Sequence, residues 1–290
     1  MSSTAGPRVV AVGGGHGLAA TLRAARTYAG ELTAIVSVAD DGGSSGRLRA
    51  DAQRPAPGDL RKCLVALAGE PSILSRAIEY RLGSGDLAGH SFGNLLIAAL
   101  DESEGDLVTA LDEVGRLIGA VGRVLPTTTI PVELVAEVAA GDDVSGQVAV
   151  MAREDVESVR LEPANVPACP DAIVALSKAD QVVLGPGSLF TSVLAATAVD
   201  EVREAVSASR GRLVYVCNLH PQPPETTGFG VSDHVDALLN HGVKPEVVLY
   251  DPSTIDGADG VTGAVAVSLA RTSGLAHDPA KLGAALAALV

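Results

Sequence analysis

Tryptophan is absent from this chain, and three phenylalanines and four tyrosines are its whole aromatic content. Hydrophobic residues nevertheless make up 47% of the 290. The interior must then be assembled from alanine, valine and leucine, through the many small contacts typical of helices laid on a parallel sheet. Cysteine is scarce as well. Cys63, Cys169 and Cys217 are odd in number and too scattered for a zinc site, so they read as buried free thiols in a reducing compartment. Positive charge is in deficit, with 21 Lys+Arg against 35 Asp+Glu and a formal net charge of −14. That balance excludes nonspecific nucleic-acid binding, which needs a basic surface. It leaves room for an anionic small ligand, because backbone amides and a few local arginines can hold a phosphate against the global charge. Long apolar runs are missing too. The mean hydropathy is positive, yet no stretch approaches the ~18–20 residues of a membrane span, and Met1 to Arg8 has no apolar signal-peptide core. A cytoplasmic protein with no membrane partner is expected.

Glycine, in contrast, is plentiful at 32 residues, and it clusters where strands should end. Arg8–Val12 is a β-branched run that stops at Gly13-Gly14-Gly15-His16-Gly17. A helix follows, with Leu18, Leu22 and Ala25 on one face. Leu32–Ala39 reads as a second buried strand, ending in Asp40-Asp41-Gly42-Gly43-Ser44-Ser45-Gly46. This is a βαβ unit, whose strands should be parallel. Helices are expected over Asp59–Ala68, Ser72–Arg81 and Phe92–Asp101, the last capped by Ser91, and from Asp106 to Gly119. Val132–Val138 and Gln147–Met151 flank a Gly141-Asp142-Asp143 turn, with Val156–Leu161 close behind, which reads as an antiparallel β insert over about residues 126–162. The α/β rhythm then resumes. Asp171–Lys178, Val199–Ala208, Val231–Asn240 and Asp278–Val290 read as helices; Gln181–Leu184, Leu213–Cys217, Val247–Tyr250 and Ala264–Leu269 read as strands. With no repeat, low-complexity tract or long linker, the economical architecture is one α/β domain over 1–290. It is a Rossmann-like, doubly wound, mainly parallel sheet carrying a small antiparallel β insert.

A glycine cluster between strand and helix lets the backbone approach a phosphate without Cβ clashes, and the helix N-terminus offers free N–H groups. Taken alone, the Gly13–Gly17 turn is equally well a tight structural connection. Repetition favours the functional reading, because Asp40–Gly46, Gly185-Pro186-Gly187-Ser188 and Asn218 also follow strands. In a doubly wound sheet all of these open onto one crevice. Asp40 and Asp41 could hold a Mg²⁺ bridging to a pyrophosphate, or one of them could cap the next helix. Ser44 and Ser45 can donate to phosphate or sugar hydroxyls. Arg47 is the nearer phosphate candidate, and Arg49 is as well placed in solvent. Asp59 is either an N-cap or a ribose or metal partner. His90, Ser91 and Asn94 surround the start of an apolar helix; capping explains Ser91 but not Asn94, which is taken as a ligand-facing amide. His90 is expected to orient a partner by hydrogen bonding. His16 touches phosphate or lies over its own loop. No catalytic residue is identified: no serine sits in a G-x-S-x-G elbow, and no cysteine has a nearby histidine.

The strings Gly13–Leu18, Val38–Arg49, Pro57-Gly58-Asp59-Leu60-Arg61, Gly89–Leu95, Gly185–Ser192 (which includes Thr191) and Glu225-Thr226-Thr227-Gly228-Phe229 are specific in order and spacing. Over nearly the whole chain, to His277–Leu282, they resemble the YvcK/GlmR family of gluconeogenesis factors. That family shares a superfamily with the 2-phospho-L-lactate transferases of coenzyme F420 synthesis. The resemblance implies a Rossmann-like cytoplasmic regulator that binds UDP-sugars such as UDP-N-acetylglucosamine. It also implies an influence on cell-wall precursor supply, growth on gluconeogenic carbon sources and cell shape, with no catalytic activity assigned. Its partners would be the UDP-sugar and a cell-wall-precursor or carbon-metabolism enzyme, and a homodimer is expected. Phe190 and Phe229 are the candidates to stack on uracil, unless they are core. The chain departs from the family pattern at three places. His16 stands where many members have threonine, and Ala276 where many have arginine. Pro224 replaces a glycine in the Asn218–Glu225 loop, removing an N–H donor; Asn218 is therefore carried over as a site residue ahead of Glu225.

Two functions of different class follow. One is a binding regulator whose UDP-sugar occupancy alters its fit to a partner. The other is a Mg²⁺-dependent transferase of a phosphate-containing group, with Asp40 and Asp41 on the metal and His90 or Asp59 assisting proton transfer. A nicotinamide dehydrogenase ranks third. Asp40 stands where its ribose-binding acid would, but the glycines and serines after it suit phosphate or sugar better.

Overall fold

The computed structural model describes residues 6–52, 54–70 and 72–290, the side chains of 49–52 excepted. The chain runs β1 (Arg8–Gly13), α1 (Gly15–Ala25), β2 (Glu31–Val36), α2 (Gly43–Ala52), α3 (Gly58–Leu67), α4 (Ile73–Glu79), α5 (Phe92–Glu104), α6 (Leu107–Leu117) and β3 (Arg123–Pro126). An insert follows: β4 (Glu133–Val138), β5 (Val144–Ser145), α7 (Gln147–Met151) and β6 (Val156–Glu162). The second half is α8 (Pro170–Lys178), β7 (Gln181–Leu184), a π-helical turn (Leu189–Leu194), α9 (Ala195–Thr197), α10 (Asp200–Ala208), β8 (Arg212–Val216), α11 (Val231–Asn240), β9 (Val247–Tyr250), β10 (Ala264–Ala266) and α12 (Pro279–Ala287).

The expected doubly wound sheet is present, with seven strands in the order β10-β9-β8-β7-β1-β2-β3, every neighbouring pair parallel. Its central strands are apolar on both faces because helices cover both. Val9 through Val12 and Val182 through Leu184 are all buried, the pattern of a fully enclosed parallel sheet. Leu18, Leu22 and Ala25 of α1 pack inward as their spacing implied. The chain builds outward from β1 through β2 to β3, then returns to β7 on the other side of β1. The winding therefore reverses between β1 and β7, and a ligand crevice belongs beyond their C-terminal ends.

Several boundaries differ from the sequence expectation, and three of the differences have a visible cause. β2 ends at Val36 and not at Ala39, since its neighbours stop there: β1 turns at Gly13, and β3 ends at Pro126, which has no N–H. Gln147–Met151 is helical and not a strand, so the insert's sheet is β5-β4-β6. There Gly146, at φ +97°, redirects the chain, and Asp41 Oδ1 accepts from Val148 N at 2.9 Å, capping α7 from a distant segment. β10 stops at Ala266 because the amides of Leu269 and Ala270 donate to Asp251 Oδ2 at 2.7 and 2.9 Å, outside the ladder. The π-helical turn at Leu189–Leu194 had no expectation attached to it. All three cysteines are buried and free. Among the described residues no helix is long and apolar enough to cross a membrane.

Asp106 caps α6, accepting from Val108 N at 3.3 Å and Thr109 N at 3.1 Å. Asp106→Ala should cost about 1 kcal/mol, the usual value of such a cap, in denaturant unfolding. A change under about 0.3 kcal/mol would mean that solvent satisfies those amides equally well.

Candidate functional site

Two glycine turns meet at the reversal point. Gly15 sits at φ +62°, a left-handed conformation natural only to glycine. A Cβ on Gly17 would lie 2.1 Å from Pro186 O and 2.6 Å from Gly187 Cα, so the turns after β1 and β7 pack backbone on backbone. Gly13 and Gly185 stand behind them at the strand ends, and Thr21 Oγ1 donates to Gly185 O at 2.6 Å.

Asp59 connects this junction to α3. The cap position of α3 is Pro57, so Asp59 does not cap its own helix. Its Oδ2 accepts from Gly15 N at 2.7 Å, at the start of α1, and its Oδ1 lies 2.9 Å from Lys62 Nζ. Asp40 and Asp41, expected as a metal-holding pair, diverge. Asp40 Oδ1 accepts from Gly42 N at 2.9 Å, forming the turn into α2. Asp41 is committed to the insert through Val148 N. The carboxylate that shares the cleft with Asp40 is Asp59. Burial first, and the Asp59 charge second, push the Asp40 carboxyl up from its usual range. Among the described residues no group of three His, Cys, Asp or Glu side chains forms a metal cage. A divalent cation here would draw on Asp40 and Asp59, with water and ligand oxygens filling its shell.

The second half of the sheet supplies the opposite wall. Asn218 Oδ1 accepts from Gly187 N at 2.9 Å while its Nδ2 donates to Gly187 O at 2.8 Å, so its amide pairs with the loop as a strand would. Glu225, ranked behind Asn218 from sequence, is buried beside this wall. It accepts from Ser188 Oγ, from Phe190 N at 3.1 Å and from Thr191 N at 2.9 Å. It thereby caps the π-helical turn and orients the Ser188 hydroxyl, which pairs in turn with Thr191 Oγ1. Phe190 does not stack on a ligand. It is buried edge-on against Phe229, centroids 6.4 Å apart, and against His241.

These walls enclose a cleft of about 530 Å³. It gathers Gly14, Gly15, His16, Gly17, Asp40, Asp59, Gly187, Ser188, Thr191 and Asn218 from the expected set. Lys62, Gln147, Ser192 and His277 join them without having been expected. Lys62 carried a signal, three residues after Asp59 on one helix face; Gln147 did not, since its helix was read as a strand. His277 is neutral near pH 7, because burial brings its pKa down to about 4. Beside it are Ala276 and the exposed Leu275, so this wall has no cation at position 276.

The remaining expected residues form a second cluster. Ser91 caps α5 as foreseen, accepting from Asn94 N at 3.3 Å. Asn94 is 2% exposed; its Nδ2 donates to Ser44 Oγ at 3.2 Å and Ser45 Oγ at 3.4 Å, and its Oδ1 accepts from Arg61 Nε at 3.0 Å. Ser44 Oγ also pairs with His90 Nδ1 at 3.1 Å. Ser44, Ser45 and Asn94 line, with Gly43, a separate cavity of about 210 Å³ that shares Asp40 and Lys62 with the cleft. Arg47 is exposed and donates to Ala88 O at 3.1 Å; the Arg49 side chain lies outside those described.

The family model described as 2-phospho-L-lactate transferase CofD matches residues 9–268. A "Putative gluconeogenesis factor" of Deinococcus radiodurans is 43% identical over 97% of this chain and 65% of its own length. The protein of that name from Nostoc sp. is 44% identical over 80% and 52%, and that from Mycobacterium leprae 41% over 97% and 85%. The chain thus spans about half to two thirds of the Nostoc and Deinococcus relatives. A crystal structure of a UPF0052-family protein from Bacillus halodurans superposes with a TM-score of 0.92, at 33% identity over 98% of this chain and 99% of that one.

Proposed function

This chain belongs to the 2-phospho-L-lactate transferase CofD family, and on that premise we propose that its cleft binds a nucleoside diphosphate sugar of the UDP type. One observation carries the proposal. The turns after β1 and β7 lie back to back at the winding reversal, bringing Gly15, Gly17 and Gly187 to one wall of a cleft large enough for such a ligand. Main-chain amides of the turns other than those of Gly15 and Gly187, which Asp59 and Asn218 already hold, meet the diphosphate, and Ser188, Thr191 and Asn218 meet the sugar or ribose hydroxyls. In this role the protein is a cytoplasmic homodimeric regulator. Ligand occupancy changes its fit to an enzyme of cell-wall precursor or carbon metabolism, linking gluconeogenic growth to wall synthesis and cell shape.

Calorimetric titration with UDP-N-acetylglucosamine tests the binding, and no heat at about 1 mM ligand would sink it. Asn218→Ala should weaken binding about tenfold, since it releases the Gly187 loop without touching the core. An unchanged Kd would remove Asn218 and its loop from the site.

The neighbouring Asp40 and Asp59 carboxylates favour a second reading, a Mg²⁺-dependent transfer of a phosphate-containing group. Incubation with nucleotide-activated donors and Mg²⁺ would then yield product that disappears in Asp40→Asn and Asp59→Asn. Equal product from these variants would exclude the reading.

A further inference from the structure

The cavity beside the cleft contains a cation short of partners. Arg61 is 6% exposed, and its only hydrogen bond among the described residues is from Nε to Asn94 Oδ1. Its two Nη groups bond to nothing among the described residues, and the side chain lines the 210 Å³ cavity. The four N–H bonds of those groups are not sealed from solvent, so an anion entering the cavity would find them free. Burial nonetheless pulls the Arg61 pKa below its ordinary value.

The rest of the wall has matching chemistry. Arg81 faces the same cavity, its Nη1 donating to Gly89 O at 2.9 Å. Opposite lies the N-terminus of the ten-residue helix α2, where the amides of Gly43 and Ser44 donate to no described group. The Ser44 and Ser45 hydroxyls are held in place by Asn94. The cations Arg61, Arg81 and Lys62 outnumber the carboxylate in the wall, Asp40. Lys62 is paired with Asp59, and the charge of Asp40 is spread over Gly42 N and Ser45. Glu79, which does not line the cavity, is the main opposing charge felt by Arg61, so positive charge from Arg61 and Arg81 remains on the cavity wall.

We propose that this cavity is an oxyanion subsite that seats a phosphate group between the Arg61 fork, Arg81 and the first amides of α2. The volume suits one tetrahedral group, not a nucleotide. Arg61 approaches it from α3 and the helix dipole from α2, the pairing of fork and amides that favours phosphate over chloride. The phosphate belongs either to a second phosphorylated ligand or to the far end of the molecule lying in the cleft.

Inorganic phosphate is the probe, titrated calorimetrically into the full chain at fixed ionic strength. The wild type should bind with a Kd of about 1 mM. Arg61→Gln should abolish the heat, and Arg81→Gln should weaken binding about tenfold. Arg81 is exposed, so that variant keeps the test open even if Arg61→Gln does not fold. Phosphate binding of equal strength in the wild type and Arg81→Gln would overturn the proposal, as would no heat up to about 50 mM. Repetition with UDP-N-acetylglucosamine present separates the sources. Arginine-dependent heat that persists assigns the subsite to a second ligand; heat that vanishes assigns it to the phosphate of the cleft ligand. Because the probe is phosphate alone, a failure of UDP-sugar binding leaves the outcome readable.

Discussion

Gly17→Ala should lose about 3 kcal/mol of stability, the upper end of what overpacking costs, together with most of its nucleotide-sugar binding. The added methyl would meet Pro186 O at 2.1 Å, the Pro186 carbonyl carbon at 2.5 Å and Gly187 Cα at 2.6 Å. All are backbone atoms, so no side chain can swing aside. The strand β7 behind them is fixed by its register with β1 and β8, and the turn must move as a whole. Separation of the two turns would pull Gly15 and Gly187 apart and widen the wall proposed to meet the diphosphate. Chemical denaturation and UDP-N-acetylglucosamine titration of the same variant check both parts. Stability within about 0.5 kcal/mol of wild type, with binding intact, would mean that the junction is plastic and that close contact of the turns is not what shapes the site.

Glu225→Ala should be at least as damaging, at about 3–4 kcal/mol. Two amides, of Phe190 and Thr191, and the Ser188 hydroxyl end on this carboxylate in a buried pocket. Each buried donor left unsatisfied costs about 1–3 kcal/mol. One factor works the other way: burial raises the Glu225 pKa, so part of the loss is offset by relief of desolvation. Glu225→Gln keeps the shape and one acceptor and should recover roughly half of the loss. Ser188 and Thr191 lose their orientation in Glu225→Ala, so ligand affinity falls with stability. A stability change under about 0.5 kcal/mol would show that water replaces the carboxylate, and Glu225 would have no part in building the wall.

Much of the architecture was legible because it depends on local pattern. Short apolar runs between turn residues read as enclosed parallel strands, and β7 and β9 lie where that pattern put them, as α11 lies where its helical spacing did. The glycine turns were legible for the same reason. Misassigned segments are those whose conformation is set by a distant partner. Gln147–Met151 alternates acceptably as a strand until Asp41 caps it. Ala264–Leu269 likewise reads as strand throughout until Asp251 takes the amides that would have continued the ladder.

The site residues divide along the same line. That glycines, serines, aspartates and Asn218 gather at the carboxyl ends of the strands follows from chain order and the right-handed winding of βαβ units. Which carboxylate stands beside Asp40 does not. Neighbours in sequence, Asp40 and Asp41 leave the β2 end in different directions, whereas Asp59, on another helix, comes to both Gly15 and Lys62. The partition of the expected ligands between a cleft and a smaller cavity behind Arg61 likewise emerged only from packing. Residue types and spacing set what each turn can do; the contacts between turns, made by side chains far apart in the chain, set which of them act together.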